Sequence, residues 1–228
     1  MINRKAILTV LGFVALVLPA TALALRHPEP ASPQRLRRMP AAVMTRGVPR
    51  VGALYQSATA TNHECTASVV HSPGGNVLIT AAHCVTGGGA GMVFVPGQSG
   101  AQQPYGRWTV TAAYAEPLWR SRQDPHADVA FLTVAARVMN GVRTQIEQVT
   151  GAYQLGSTAA RRQRVTVIGY PGGAANSAIR CATKVYLTGG ISSIDCRGFV
   201  GGTSGSPWLR ATPHGAQIVG VIGGPNQG

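Results

Sequence analysis

Leu78-Ile79-Thr80-Ala81-Ala82-His83-Cys84 reads as a β-strand that runs out into small residues and then presents a histidine beside a cysteine. Ala81 and Ala82 allow close packing at the strand's end, and a disulfide at Cys84 would fix the turn that carries the imidazole. An imidazole titrates near pH ~6.5, so it can take up and return a proton at neutral pH. A lone histidine is more often a core residue with satisfied hydrogen bonds. The meaning of His83 therefore depends on what the rest of the chain places beside it.

Outward from this stretch, short β-like runs alternate with turn clusters. The runs are Thr66–Val70, Val77–Thr80, Met92–Val95, Trp108–Ala113, Val129–Val134, Val165–Ile168, Lys184–Leu187 and Ile218–Ile222. Between them lie Ser72-Pro73-Gly74-Gly75, Gly87-Gly88-Gly89, Pro96-Gly97 and Pro171-Gly172-Gly173. Short strands at this spacing, without amphipathic crossover helices, predict an all-β barrel or sandwich and exclude a parallel βαβ architecture. Residues 137–150 lack a strand pattern and read as the join between two halves, 51–140 and 141–228. No internal repeat is evident.

The chain carries 20 basic and seven acidic residues, a net charge of +13. Such a bias raises nucleic-acid or membrane binding. Eight of the basic residues, however, lie in the first 50 positions, and the others are scattered except for Arg161, Arg162 and Arg164. A solvated basic face is the better reading, so no nucleic-acid partner is expected.

Arg4 and Lys5 precede an apolar run from Ala6 to Leu18, then Pro19 and Ala22-Leu23-Ala24. This is the pattern of a secretory signal over residues 1–24, with no membrane association after its cleavage. Residues 25–50 hold five prolines among arginines and read as a propeptide or linker, with ordered structure expected from about Val51. Four cysteines suit an exported chain and allow three disulfide connectivities. Cys65–Cys84 and Cys181–Cys196 are favoured because each pair falls within one half of the chain. Each would close a loop worth on the order of 3 kcal/mol through restriction of the unfolded state. No Cys-x-x-Cys spacing or matching His pair points to a metal, and no cofactor is expected.

Two further segments bear on His83. In His126-Ala127-Asp128-Val129-Ala130-Phe131-Leu132, an aspartate stands just before an apolar strand, where it can accept an imidazole N–H and fix the tautomer. Of the three aspartates, Asp124 lies in the preceding turn and Asp195 lies close in sequence to the proposed nucleophile, which leaves Asp128. In Gly201-Gly202-Thr203-Ser204-Gly205-Ser206-Pro207-Trp208, glycines permit backbone conformations in which successive N–H groups converge on one point. If Ser204 attacks a carbonyl, the amides of Gly202 and Ser204 would hold the developing oxyanion.

Taken in order, Thr80-Ala81-Ala82-His83-Cys84, Asp128-Val129-Ala130-Phe131-Leu132 and Gly202-Thr203-Ser204-Gly205-Ser206-Pro207 resemble the chymotrypsin-like (trypsin-type) serine proteases. They are most similar to the secreted bacterial branch with the glutamyl endopeptidases and streptogrisins. The resemblance spans about Val51 to Gly224. It implies two antiparallel six-stranded β-barrels with His83, Asp128 and Ser204 in the cleft between them, and it supports the Cys65–Cys84 bridge. It also selects Ser204 over Ser206 as the nucleophile.

The implied activity is secreted, monomeric endopeptidase action on protein or peptide substrates. A catalytically weak or inactive protease-like binding protein is the alternative. Thr203 stands where trypsin has the aspartate that pairs with a new N-terminal amine, so that activation is not expected. The implied substrate pocket comprises Gly198, Phe199, Val221, Ile222 and Gly223. Gly198 offers no charge for a basic side chain and Ile218–Ile222 no histidine for an acidic one, which leaves a neutral or apolar preference. After Ile222 few residues remain, so the second barrel is expected to lack an edge.

Overall fold

The computed structural model describes residues 39–173 and 176–223; the leader expected over 1–24 lies outside them. Among these residues sixteen strands follow in chain order. They are β1 (Val43–Met44), β2 (Val51–Tyr55), β3 (Cys65–Val70), β4 (Val77–Thr80), β5 (Val93–Pro96), β6 (Trp108–Ala115), β7 (Ala130–Val134) and β8 (Arg137–Met139). The others are β9 (Val142–Thr144), β10 (Gln154–Leu155), β11 (Arg164–Gly169), β12 (Ile179–Lys184), β13 (Tyr186–Thr188), β14 (Ile191–Ser193), β15 (Pro207–Thr212) and β16 (Gly215–Val221). Two short helices, α1 (Pro117–Arg122) and α2 (Ile146–Thr150), interrupt them.

Strands β2, β3, β4, β7, β6 and β5 close into a barrel in that order. Strands β2, β3 and β5 are buried along their whole length because both of their faces are covered, whereas β6 alternates buried and exposed residues. Leu54, Leu78, Phe94, Trp108 and Leu132 fill the interior. Val51, Ala53, Tyr55, Ile79, Val93 and Val95 face the other way and pack with Ile168, Tyr170, Leu209 and Ile218 of the second half. Alternation along a strand assigns its residues to the two faces, and here it divides one chain between barrel interior and domain interface. Gly52 is required inside, because a Cβ there would collide with the Val95 carbonyl oxygen beside the Phe94 ring.

The second half is a six-stranded sheet of order β1-β12-β11-β15-β16-β10, antiparallel except where β10 runs parallel to β16. Among the described residues this sheet is open. Ordered structure starts before Val51: the two-residue β1 pairs with β12, Val43 opposite Arg180 and Met44 opposite Ile179. The expected run Lys184–Leu187 is two elements, since β12 ends at Lys184 and β13 begins at Tyr186 in a separate hairpin with β14. The join at 137–150 holds the β8–β9 hairpin and α2.

Both cysteine pairs are bonded, Cys65 to Cys84 and Cys181 to Cys196, with Cα atoms 6.1 and 6.3 Å apart. Each bridge lies within one half, the first beside His83 and the second between β12 and the segment that leads to Ser204.

Candidate active site

Register brings the first two residues together. β4 and β7 are antiparallel neighbours with Thr80 opposite Ala130. The chain leaving β4 after Thr80 and the chain entering β7 before Ala130 therefore pass the same end of the barrel. Beyond β4, buried Ala81 leads into a single 3-10 turn, Ala82–Cys84, which carries His83. Before β7, another 3-10 turn, Pro125–Ala127, ends at Asp128. Asp124 caps this turn by accepting the His126 N–H at 3.0 Å, and that bond holds the Asp124 carboxyl below the usual carboxylate range.

Asp128 uses one carboxylate oxygen to accept the His83 backbone N–H at 2.9 Å and the other to accept from His83 Nδ1 at 2.7 Å. The Asp128 side chain is 2% exposed, while that of His83 is 30% exposed. A buried carboxylate accepts and does not donate, so the proton resides on Nδ1 and the Nε2 lone pair faces outward. The arrangement fixes both the ring's orientation and its tautomer. Gly223 completes it: a Cβ at that position would lie 3.0 Å from Asp128 Oδ2 and 2.8 Å from its carbonyl oxygen.

Ser204 reaches the same barrel end through its backbone. Thr66, on β3 next to Cys65, donates its N–H to the Ser204 carbonyl at 2.7 Å and its hydroxyl to the Gly202 carbonyl at 3.1 Å. Gly205 lies so close to Thr66, Thr80 and Ala81 that a Cβ there would overlap the Thr66 carbonyl oxygen, and its φ of +82° is one that only glycine adopts freely. Gly202, at φ +94°, packs against the amide nitrogen of Gly172 just as tightly. Gly205 is thus pressed directly onto the end of β4, one residue from the turn that bears His83. Among the described residues no hydrogen bond links Ser204 Oγ to the imidazole, an arrangement common where such contacts tighten only with substrate bound.

The carbonyls of Gly201, Gly202, Thr203 and Ser204 are used and three of the turn's amides are not. The carbonyls of Gly201, Gly202, Thr203 and Ser204 accept from Gly172 N–H, Thr66 Oγ1, Ser206 N–H and Thr66 N–H. Thr203 N–H donates to the Val200 carbonyl and Gly205 N–H to the Ile222 carbonyl. The N–H groups of Gly201, Gly202 and Ser204 donate to no described group. Two of these three, those of Gly202 and Ser204, are the donors expected for an oxyanion.

Ser206 is fully buried, with its hydroxyl packed against Gly169 and without a hydrogen-bond partner among the described residues. The expected pocket residues separate. Phe199 and Ile222 pack on one apolar cluster with Trp208 and Val219, whereas Val221 turns toward Val129 and the domain interface. Gly198 lies against Ala42, at the far end of this stretch. Cys65, His83 and Cys84 bring their ligand atoms within 4.8 Å of one another, but the two sulfurs are bonded to each other and are not thiolate ligands.

Sequence reasoning missed Trp119. It lies on α1, whose first turn is capped by the Glu116 side chain accepting the Leu118 N–H, and its ring sits 6.3 Å from the His83 ring at a tilt of 54°. The Glu116-Pro117 pair, a capping acid followed by proline at the first helical position, was the available signal for that helix.

The trypsin-like peptidase domain pattern matches residues 65–221. No curated protein sequence matches the chain. Among solved structures, the protease Anisep from Arthrobacter nicotinovorans is 24% identical, with 78% of this chain and 84% of that one aligned at a TM-score of 0.63. A thermostable serine protease, AL20, from an extremophilic microorganism is 25% identical over 75% of this chain and 82% of its own, at 0.62. A Glu endopeptidase shares the fold at 16% identity, covering 80% and 84%, at 0.59. With a family match across most of its length and protease neighbours around an all-β frame, the chain belongs to the trypsin-like peptidase family and is a serine endopeptidase.

Proposed function

We propose that the chain is a secreted, monomeric endopeptidase that cleaves peptide bonds through His83, Asp128 and Ser204. The observation that carries this reading is the double acceptance by buried Asp128, which leaves His83 Nε2 as a base beside the Ser204 turn. Ser204 Oγ forms a bond to the scissile carbonyl carbon and its proton passes to Nε2. The oxyanion takes hydrogen bonds from the Gly202 and Ser204 amides. Collapse breaks the C–N bond, and the imidazolium returns the proton to the leaving amine. Water, deprotonated by the same nitrogen, then hydrolyses the acyl ester. The basic leader with its apolar run and Ala22-Leu23-Ala24 site, together with the two disulfides, supports export. The uncharged Gly198 and the apolar Phe199 and Ile222 support a neutral or apolar residue before the cleaved bond.

A fluorophosphonate probe tests the assignment. The label is expected on Ser204 when the modified peptide is mapped by mass spectrometry. A label on Ser206, or none on folded protein, would overturn it. Gly202→Ala is expected to lower kcat roughly 10²–10³-fold, the usual cost of one oxyanion donor, with little change in KM. The added methyl would push Gly202 away from Gly172 and turn its N–H aside.

A further inference from the structure

We propose that Met39–Thr45 is a positioning strap for the substrate-pocket segment Cys196–Gly198, and that it stays with the catalytic unit after any upstream processing. The inference deepens the endopeptidase reading above and rests on it. The strap meets this segment residue by residue: Ala42 N–H donates to the Arg197 carbonyl at 2.8 Å, and Arg197 N–H donates to the Pro40 carbonyl at 2.8 Å. The Ala42 methyl lies against Gly198, where an added Cβ would be 3.4 Å from it. Further along, Thr45 N–H donates to the Ala178 carbonyl at 2.9 Å, and β1 pairs with β12.

The same segment is also held by the Cys181–Cys196 bridge, by Tyr186 OH donating to Asp195 Oδ1 at 2.6 Å, and by Thr183 Oγ1 donating to the Asp195 carbonyl at 3.0 Å. Arg197 and Gly198 are therefore held both by the disulfide to β12 and by the strap, which itself pairs with β12. Gly198 stands six residues before Ser204, next to the Phe199 ring that packs with Ile222. Its position sets the depth available to a substrate side chain, whereas the His83–Asp128 pair belongs to the other barrel.

The strap does this through its backbone. Val43 and Met44 are 58% and 66% exposed, so their side chains add little to the core. Beyond Thr45 the chain threads past Gly97, where Gly47 approaches so closely that only glycine fits, and turns at Val48–Val51 into β2. A segment that contributes hydrogen bonds to this loop and to the edge of β12, and little apolar burial, should govern that loop and edge more than global stability. The wider 25–50 stretch, with its prolines and arginines, reads as removable, yet cleavage inside Met39–Thr45 would free Arg197 N–H and the Arg197 carbonyl together.

The test compares the full chain, a chain starting at Met39, a chain starting at Gly47, and the full chain with Ala42→Pro. Amide hydrogen exchange over residues 196–200, Ser204 labelling by fluorophosphonate, and kcat and KM on peptides with Gly or Leu before the scissile bond are measured for each. The Met39 chain should match the full chain. The Gly47 chain and Ala42→Pro should exchange at least tenfold faster at 196–200 while the barrel amides are unchanged. Their KM for the Leu substrate should rise about tenfold, with labelling and the Gly substrate changed less than twofold. Unaltered exchange at 196–200, or equal losses on both substrates, would refute the strap. Failure of the full chain to label would instead remove the endopeptidase reading, and the exchange data would still decide whether Met39–Thr45 holds the loop. If the Gly47 chain does not fold, Ala42→Pro gives the same decision.

Discussion

Ser204→Ala is expected to lower kcat roughly 10⁶-fold on any cleaved peptide, with the folded structure intact. The backbone of the turn explains why the two effects separate. Ser204 is held by its carbonyl, which accepts from Thr66 N–H, and alanine retains that bond. The neighbouring glycines, not the hydroxyl, set the turn's conformation. Removing Oγ takes away the nucleophile and leaves the oxyanion donors, so a small residual rate over water should persist. Ser206→Ala is the matched control. Its hydroxyl is buried without a described partner, so a methyl-sized replacement should leave kcat unchanged and stability equal or slightly higher. Steady-state kinetics with thermal unfolding of both variants decides the matter; loss of activity in Ser206→Ala with retention in Ser204→Ala would exchange their roles.

Asp128→Asn should cost about 10⁴ in kcat with KM nearly constant. The carboxylate now accepts twice, from the His83 backbone N–H and from Nδ1. An asparagine keeps the shape but has only one accepting oxygen, which the backbone N–H retains. Its NH₂ then faces Nδ1 and requires an acceptor there, so the proton moves to Nε2. The imidazole keeps its place and loses the lone pair that would take the Ser204 proton. Measured kcat on a peptide substrate, with the imidazole protons followed by NMR, separates this tautomer change from a displaced ring. A drop below tenfold would show that Asp128 does not orient the base.

Much of the site was legible because its requirements are local. A strand ending in small residues before His83, an aspartate ahead of an apolar strand, and glycines around Ser204 are each dictated by neighbours in sequence. The register of β4 with β7 and the close packing of Gly205 on Ala81 then bring the three segments to one end of the barrel. Expected strands such as Val77–Thr80 match the structure because buried strands must be apolar and must end in turns.

Other features had no local cause to reveal them. Trp119 lies near His83 only because α1 folds back over the end of the barrel. The Val43–Met44 strand carries exposed side chains and no alternation, and its identity comes entirely from hydrogen bonds to a strand more than 130 residues away. The sequence by itself determined which residues can do chemistry and which runs must be strands, because side-chain character and backbone freedom belong to each residue. Only the tertiary structure decided which amides remain available beside Ser204 and which segment braces Gly198, because a backbone donor has no partner until the chain has folded around it.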